Sequence, residues 1–271
     1  MTHPLDGCRA KLNRAIELTT ELEDKLRQFL SANPKPYNVK GEHRNEDREF
    51  HLVVSGPQPP LIFSVLAGEI IHHLRSALDH AIWAIATCKM SSPSESSPSE
   101  RLQFPICDSK MGFEKSISNG VIKGVGDEAA KIVESVQPFK QPIPRDTVLS
   151  ALNKASNTDK HRLLLVVGAV AQLGNKITVG DATDRKDGFP KETAIVGISP
   201  PKRVKIASEG TSAFAINFSD PAPQVSARAD FDVSIAFYEL GEARNVELIK
   251  GLRGLHAGTA HTVELFAKLF Q

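Results

Sequence analysis

Ile70-Ile71-His72-His73-Leu74-Arg75-Ser76-Ala77-Leu78-Asp79-His80-Ala81-Ile82-Trp83-Ala84-Ile85 is the stretch on which the fold turns. Placed at about 100° per residue, its residues separate into two faces. Ile70, Leu74, Ala77, Leu78, Ala81 and Ile85 make a broad apolar face. Glu69, His72, Arg75, Ser76, Asp79, His80 and Trp83 make the other. An ordinary solvated face is rich in Lys and Glu. This one carries two histidines, an arginine, an aspartate and the single tryptophan of the chain. The pattern predicts a central helix from about Leu61 to Cys88, packed on one side and chemically distinctive on the other.

Upstream, Leu5, Cys8, Leu12, Ala15, Thr19, Leu22, Leu26 and Phe29 recur at alternating steps of three and four. That spacing predicts a long helix over Leu5–Leu30 with a heptad-like seam. Asn33-Pro34-Lys35-Pro36 ends it, because proline cannot continue the hydrogen-bond ladder. Tyr37–Gly56 reads as a hairpin in which Phe50, Leu52 and Val54 alternate with Glu49, His51 and Val53. Pro57-Gln58-Pro59-Pro60 separates it from the central helix.

Downstream, residues 91–100 (SSPSESSPSE) are too polar and repetitive to pack, which predicts a disordered surface loop. Phe104-Pro105-Ile106 anchors the chain back onto the body. Helices are expected over Asp127–Val136 and Asp146–Asn157. The apolar run Leu163–Val170 fits either a helix or a buried strand. From Lys176 to Glu239 the period changes to two. Candidate strands carry Ile177/Val179, Ala194/Val196/Ile198, Val204/Ile206, Phe214/Ile216/Phe218 and Phe231/Val233/Ile235/Phe237. A last helix is expected over Glu242–Phe270, with Ile249, Leu252, His256, Val263, Phe266 and Phe270 on its apolar stripe. Gly251, Gly254 and Gly258 lie on another side, where a neighbouring backbone can come close. Helices on both sides of a β-rich insert give one α+β domain over residues 1–271: a helical bundle with a small antiparallel sheet, formed mainly by residues 176–239 and the N-terminal hairpin.

Composition narrows the function classes. With 33 Lys+Arg against 32 Asp+Glu, the formal charge of +1 gives no global field that recruits nucleic acid or an anionic membrane. Three widely spaced cysteines, Cys8, Cys88 and Cys107, form neither a zinc pattern nor a disulfide framework and suit a reducing cytoplasm. The charged N-terminal stretch does not read as a signal peptide, and no membrane partner is expected. A Walker A loop, a GxGxxG turn and a GxSxG elbow are missing from the sequence, which disfavours nucleoside triphosphate, dinucleotide and α/β-hydrolase chemistry. No cofactor is expected.

Three chemical readings remain. In the first, Arg75 and His80 act together. They lie about one and a half turns apart, within reach of a common point. Histidine, with its ordinary pKa near ~6.5, can accept and return a proton at neutral pH. Arginine can hold a phosphate and stabilise its added charge. Such a pair can activate a 2′-hydroxyl, stabilise the strained phosphate and protonate the leaving oxygen without a metal. Asp79 and His161 would support it, with Asp159 orienting an imidazole. His72, Ser76 and Arg162 would contact substrate. In the second reading, Arg75 and Asp79 are an i,i+4 salt bridge and the stripe is structural; the protein is then a non-catalytic binding or scaffold protein. In the third, Glu69, His72, His73 and His256 supply a histidine-rich metal site, with His261 on the opposite, solvated side.

The Arg75-x4-His80 spacing is similar to the Arg-x(4–6)-His motif of the HEPN superfamily. These are helical proteins, many of them toxin or defence ribonucleases acting as dimers with the two motifs facing each other. The resemblance implies a metal-independent endoribonuclease, RNA as substrate and a homodimer. It covers this helix alone. Ser76 stands where a polar residue such as Asn commonly follows the family arginine, and the β-rich segment is not part of a minimal HEPN bundle. More of the chain resembles a group of uncharacterised bacterial proteins, through Leu74-Arg-Ser-Ala-Leu-Asp-His80, Phe104-Pro-Ile106, Val136-Gln-Pro-Phe139 and Asn157-Thr-Asp-Lys-His-Arg162. That resemblance implies a shared fold.

Overall fold

The computed structural model describes residues 3–88, 101–161, 167–181, 195–199, 204–207, 209–222, 225–237 and 246–270. In chain order the elements are α1 (Asp6–Leu30), β1 (Asn38–Arg44), β2 (Glu49–Ser55), α2 (Leu61–Cys88), α3 (Lys110–Ser118), α4 (Asp127–Ser135), α5 (Val148–His161), β3 (Val167–Asp181), β4 (Ile195–Ser199), β5 (Val204–Lys205), β6 (Thr211–Phe218), β7 (Val225–Phe237), β8 (Val246–Glu247) and α6 (Leu248–Glu264). The fold is α+β, with antiparallel strand pairing. The residues divide into two compact units. One takes the chain to Asp24, Leu61–Val166 and Glu239–Gln271; the other takes Lys25–Pro60 and Val167–Tyr238.

The first unit is built on α2. Ile70, Leu74, Ala77, Leu78 and Ala81 are fully buried, but so are Ile71 and Ile82 beside them, so the packed face is wider than the apolar periodicity alone suggests. Each such Leu or Ile contributes about 1.5–3 kcal/mol by leaving water. Among the described helices α2 is long and apolar enough to cross a membrane by length and composition, yet 61% of its most apolar window is buried within the protein. That burial is what a core helix shows. The seam of α1 is buried from Leu5 through Cys8, Leu12, Ala15, Thr19 and Leu22 to Leu26. Thr19 enters it because its hydroxyl donates to the Ala15 carbonyl at 2.7 Å.

Two helix contacts need small residues. A Cβ on Gly68 of α2 would stand 2.5 Å from Asp159 Oδ1 of α5, and one on Gly258 of α6 would stand 2.5 Å from Val148 Cγ1 of α5. Gly254, in contrast, meets nothing within 4 Å. Helix α5 continues past Asn157 to His161, so the polar Asn157–His161 segment is helical. Helix α6 begins at Leu248, after the short strand β8. Its buried stripe is Leu248, Leu252, Leu255, Thr259, Thr262, Val263 and Phe266, rotated from the one expected; Ile249, His256 and Phe270 are only half-buried. Thr259 and Thr262 tolerate burial because each donates to the carbonyl four residues earlier. Helix α3 has no sequence-based expectation behind it; the Ser109 hydroxyl caps its start by accepting the Gly112 N–H at 3.2 Å.

The second unit holds two sheets where one is expected. Strands run β1-β2-β6-β4 in the first, and β3 pairs with both β5 and β7 in the second. The hairpin β1–β2 turns through Asn45, Glu46 and Asp47, all with positive φ. Phe50, Leu52 and Val54 are buried as the alternation requires. Val53 is buried too, because the register against β6 shifts between Leu52 and Val53. Residues 167–170 of the ambiguous apolar run are strand. The expected loop at 91–100, Arg162, the first part of the run, Ala194 and the start of the last predicted helix lie outside the described residues.

Candidate functional site

The polar face of α2 separates into a buried part and an open part. Arg75 is the buried part. It is only 9% exposed, against the expectation that it shares an open face with His80. Its Nη2 donates to the Phe104 carbonyl at 2.6 Å and lies 3.0 Å from Asp79 Oδ1. The same Oδ1 accepts the Phe104 N–H at 2.9 Å. Arg75 and Asp79 thus close a ring around the backbone of one residue, gripping both its donor and its acceptor. Position 75 is on the border of the helical face, and these partners offset part of the cost of burying the guanidinium there, whose Nη1 is buried without a partner. Burial pushes the Arg75 pKa down and Asp79 pulls it back up; arginine keeps its charge in either case.

A second grip secures the same segment. Gln137 is fully buried. Its Nε2 donates to the carbonyls of Pro105 and Val133 at 2.8 and 3.0 Å, and its Oε1 accepts the Cys107 N–H at 2.9 Å. The Phe104 ring is fully buried, edge-on to Phe266 at 6.4 Å. Arg75, Asp79 and Gln137 therefore satisfy both backbone groups of Phe104, the Pro105 carbonyl and the Cys107 N–H in a segment that forms no helix or strand of its own. Gln137 is the residue that sequence reasoning missed. Its signal is a lone amide beside a proline in an otherwise apolar Val136-Gln-Pro-Phe139.

The open part is a groove of about 700 Å³. His80 and Trp83 line it from α2 together with Asp79, Ala84, Thr87 and Cys88; Pro4, Gly7 and Cys8 line it from the N-terminal side, and Leu102 completes it. Trp83 is 46% exposed, a large apolar ring left in water. Arg75 does not line this groove, and among the described residues its lining contains no lysine or arginine. Cys8 is buried at its base, and that burial pushes its thiol up to about 11, so it stays protonated and a poor nucleophile at neutral pH.

The remaining candidates are scattered. His72 is exposed, with its Nε2 3.4 Å from the half-buried Ser76 hydroxyl. His161 is the last residue of α5; its side chain and Arg162 lie outside the described residues. Asp159 lies against α2 at Gly68. Glu69 and His261 are exposed. His73 has a buried Nδ1 without a hydrogen-bond partner, and burial lowers its pKa. Burial also lowers that of His256, against a backbone hydrogen bond to Leu12 that raises it. Among the described residues no group of three or more His, Cys, Asp or Glu comes together as a metal site. No protein-family model, curated protein or solved structure matches the chain.

Proposed function

We propose that this is a non-catalytic binding or scaffold protein, in which Arg75 and Asp79 serve the fold and the exposed His80–Trp83 groove is the contact surface. One observation carries the reading: Arg75 Nη2 is bonded to the Phe104 carbonyl and to Asp79, and Nη1 is buried without a partner, so the guanidinium is closed off from solvent. A phosphate-binding arginine needs its donors free to face the ligand. The groove supports the same view, since an exposed tryptophan offers a stacking and packing surface and, among the described residues, the lining holds no lysine or arginine to attract a phosphate.

A HEPN-like, metal-independent endoribonuclease acting as a homodimer on RNA is the second reading. What favours it is His80, which stands exposed in an open groove at the family spacing from Arg75. The two readings part on one experiment. Transfer and messenger RNA are incubated in EDTA with wild-type protein and with His80→Ala, a surface change that leaves the fold intact. Under the binding reading neither protein cleaves. Cleavage by wild type that disappears in His80→Ala overturns it in favour of the ribonuclease.

A further inference from the structure

A bulge between β2 and β6 re-aims one serine of the second unit. Leu52 pairs with Phe214 and Val53 with Ser212, so Ala213 is the extra residue. In an unbroken ladder Ser212 would stand opposite Val54. The bulge seats it opposite Val53, on the face that Glu49, His51 and Val53 share by alternation. There Ser212 Oγ lies 2.8 Å from His51 Nδ1, and His51 Nε2 lies 3.0 Å from Glu49 Oε2. The His51 side chain is 13% exposed and Ser212 is half-buried. The chemistry of the three groups sets the direction of the proton chain. A carboxylate only accepts, so His51 Nε2 carries the hydrogen that Glu49 holds. This bond lowers the Glu49 pKa from its ordinary value, and Asn45 Nδ2 donates to the other carboxylate oxygen at 3.3 Å. The neutral imidazole then presents Nδ1 as a lone pair, and the Ser212 hydroxyl is the donor that meets it. The Phe214 carbonyl, at 3.3 Å, is a longer second acceptor for the same hydroxyl. Acid, base and hydroxyl in this order are the arrangement that activates a serine.

We propose that Ser212 is a covalent modification site, acylated once by an activated acyl donor of the thioester class. Its Oγ attacks the carbonyl carbon. The Oγ–C bond forms and the C–S bond breaks; the hydroxyl proton passes to His51 Nδ1 and from there to the departing thiolate. The products are an ester on Ser212 and a free thiol, with no change of oxidation state. The hydroxyl is bonded to an imidazole and a carbonyl, which suits a neutral acyl group better than a phosphoryl group that needs a cation. A thiolate leaves readily, so a base and its orienting acid suffice for the step. Glu49 is a positioning residue that keeps Nδ1 free of a hydrogen. The site is built from β2 and β6 alone and is independent of the α2 groove and of its reading.

The full chain is incubated with the acetyl thioester of N-acetylcysteamine, and peptide mass mapping locates the acetyl group over time. Thermal unfolding confirms that every variant is folded. Wild type is expected to take an acetyl group on Ser212. His51→Gln is expected to be acetylated there about a hundredfold more slowly. Glu49→Gln is expected to be slow as well, because its amide can donate to Nε2 and turn the ring hydrogen toward Ser212. Lysine acetylation in the same samples needs neither residue and is expected to be the same in all, which separates loss of the base from a general change. No acetyl group on Ser212, or equal rates at Ser212 in wild type and His51→Gln, overturns the proposal. Thiol release that continues beyond one equivalent per chain and is lost in Ser212→Ala would overturn both the single modification and the non-catalytic reading.

Discussion

Arg75 and His80 are five positions apart on one helix, and they have opposite surroundings. Arg75 is buried and bonded to Phe104 and Asp79; His80 is exposed in a groove. The difference shows how little a spacing says about chemistry. Two side chains can be placed at any separation along a helix, but a guanidinium already bonded to its own protein has less to offer a phosphate. The segments Leu74–His80, Phe104–Ile106, Val136–Phe139 and Asn157–Arg162 divide along the same line. Three of them meet at one structural knot: Arg75 and Asp79 from the first, Phe104 from the second and Gln137 from the third. The fourth supplies Asp159, packed on Gly68.

The contrast can be broken most directly at Arg75. Arg75→Ala leaves the Phe104 carbonyl and the Asp79 carboxylate short of a partner and is expected to cost about 3–5 kcal/mol in urea unfolding. A double-mutant cycle with Asp79→Ala should show strong coupling; a loss no larger than that of a surface substitution would mean that the clamp is not structural. Gln137→Leu leaves the Cys107 N–H and the Pro105 carbonyl unpaired and is expected to cost about 1–3 kcal/mol by the same measurement. Gly258→Ala drives a methyl group into Val148 and should lower stability by about 1–3 kcal/mol, whereas Gly254→Ala, which meets nothing, should be neutral or stabilising.

Acid should act on the half-buried histidines. His73 and His256 have folded-state pKa values below their ordinary 6.5, lowered first by burial, and Lys11, His72 and Arg14 add to the effect at His73 against the opposing Glu69. Their contribution is complete above pH 6.5 and is lost as pH falls below it, because the unfolded chain then binds the protons first. The midpoint of thermal unfolding should therefore fall on acidification, and less so in a His73→Gln/His256→Gln variant; an unchanged slope would remove these residues from the account. The smallest effects belong to the open side. His80→Ala and Trp83→Phe should each change stability by no more than about 0.5 kcal/mol. Since Trp83 is the single tryptophan, its emission should be that of a partly solvated indole and should respond to whatever occupies the groove. A large stability loss at either position would show that the groove side, too, belongs to the fold.

The sequence by itself determined the element types and the cores of the longer helices. The three-and-four spacing of α1, the apolar face of α2 and the alternation of β2, β6 and β7 are local patterns, set by backbone periodicity and written wherever one face must be dry. Tertiary structure decided what periodicity does not encode. It chose strand for residues 167–170, divided the strands into two sheets, and rotated the buried stripe of α6 by satisfying Thr259 and Thr262 within the helix. Above all it buried Arg75. Whether a border position on a helix faces water or the interior depends on whether partners for its charge arrive from elsewhere in the chain. Here they are the backbone of Phe104, 29 residues away, and Asp79 one turn on, a meeting that only folding brings about.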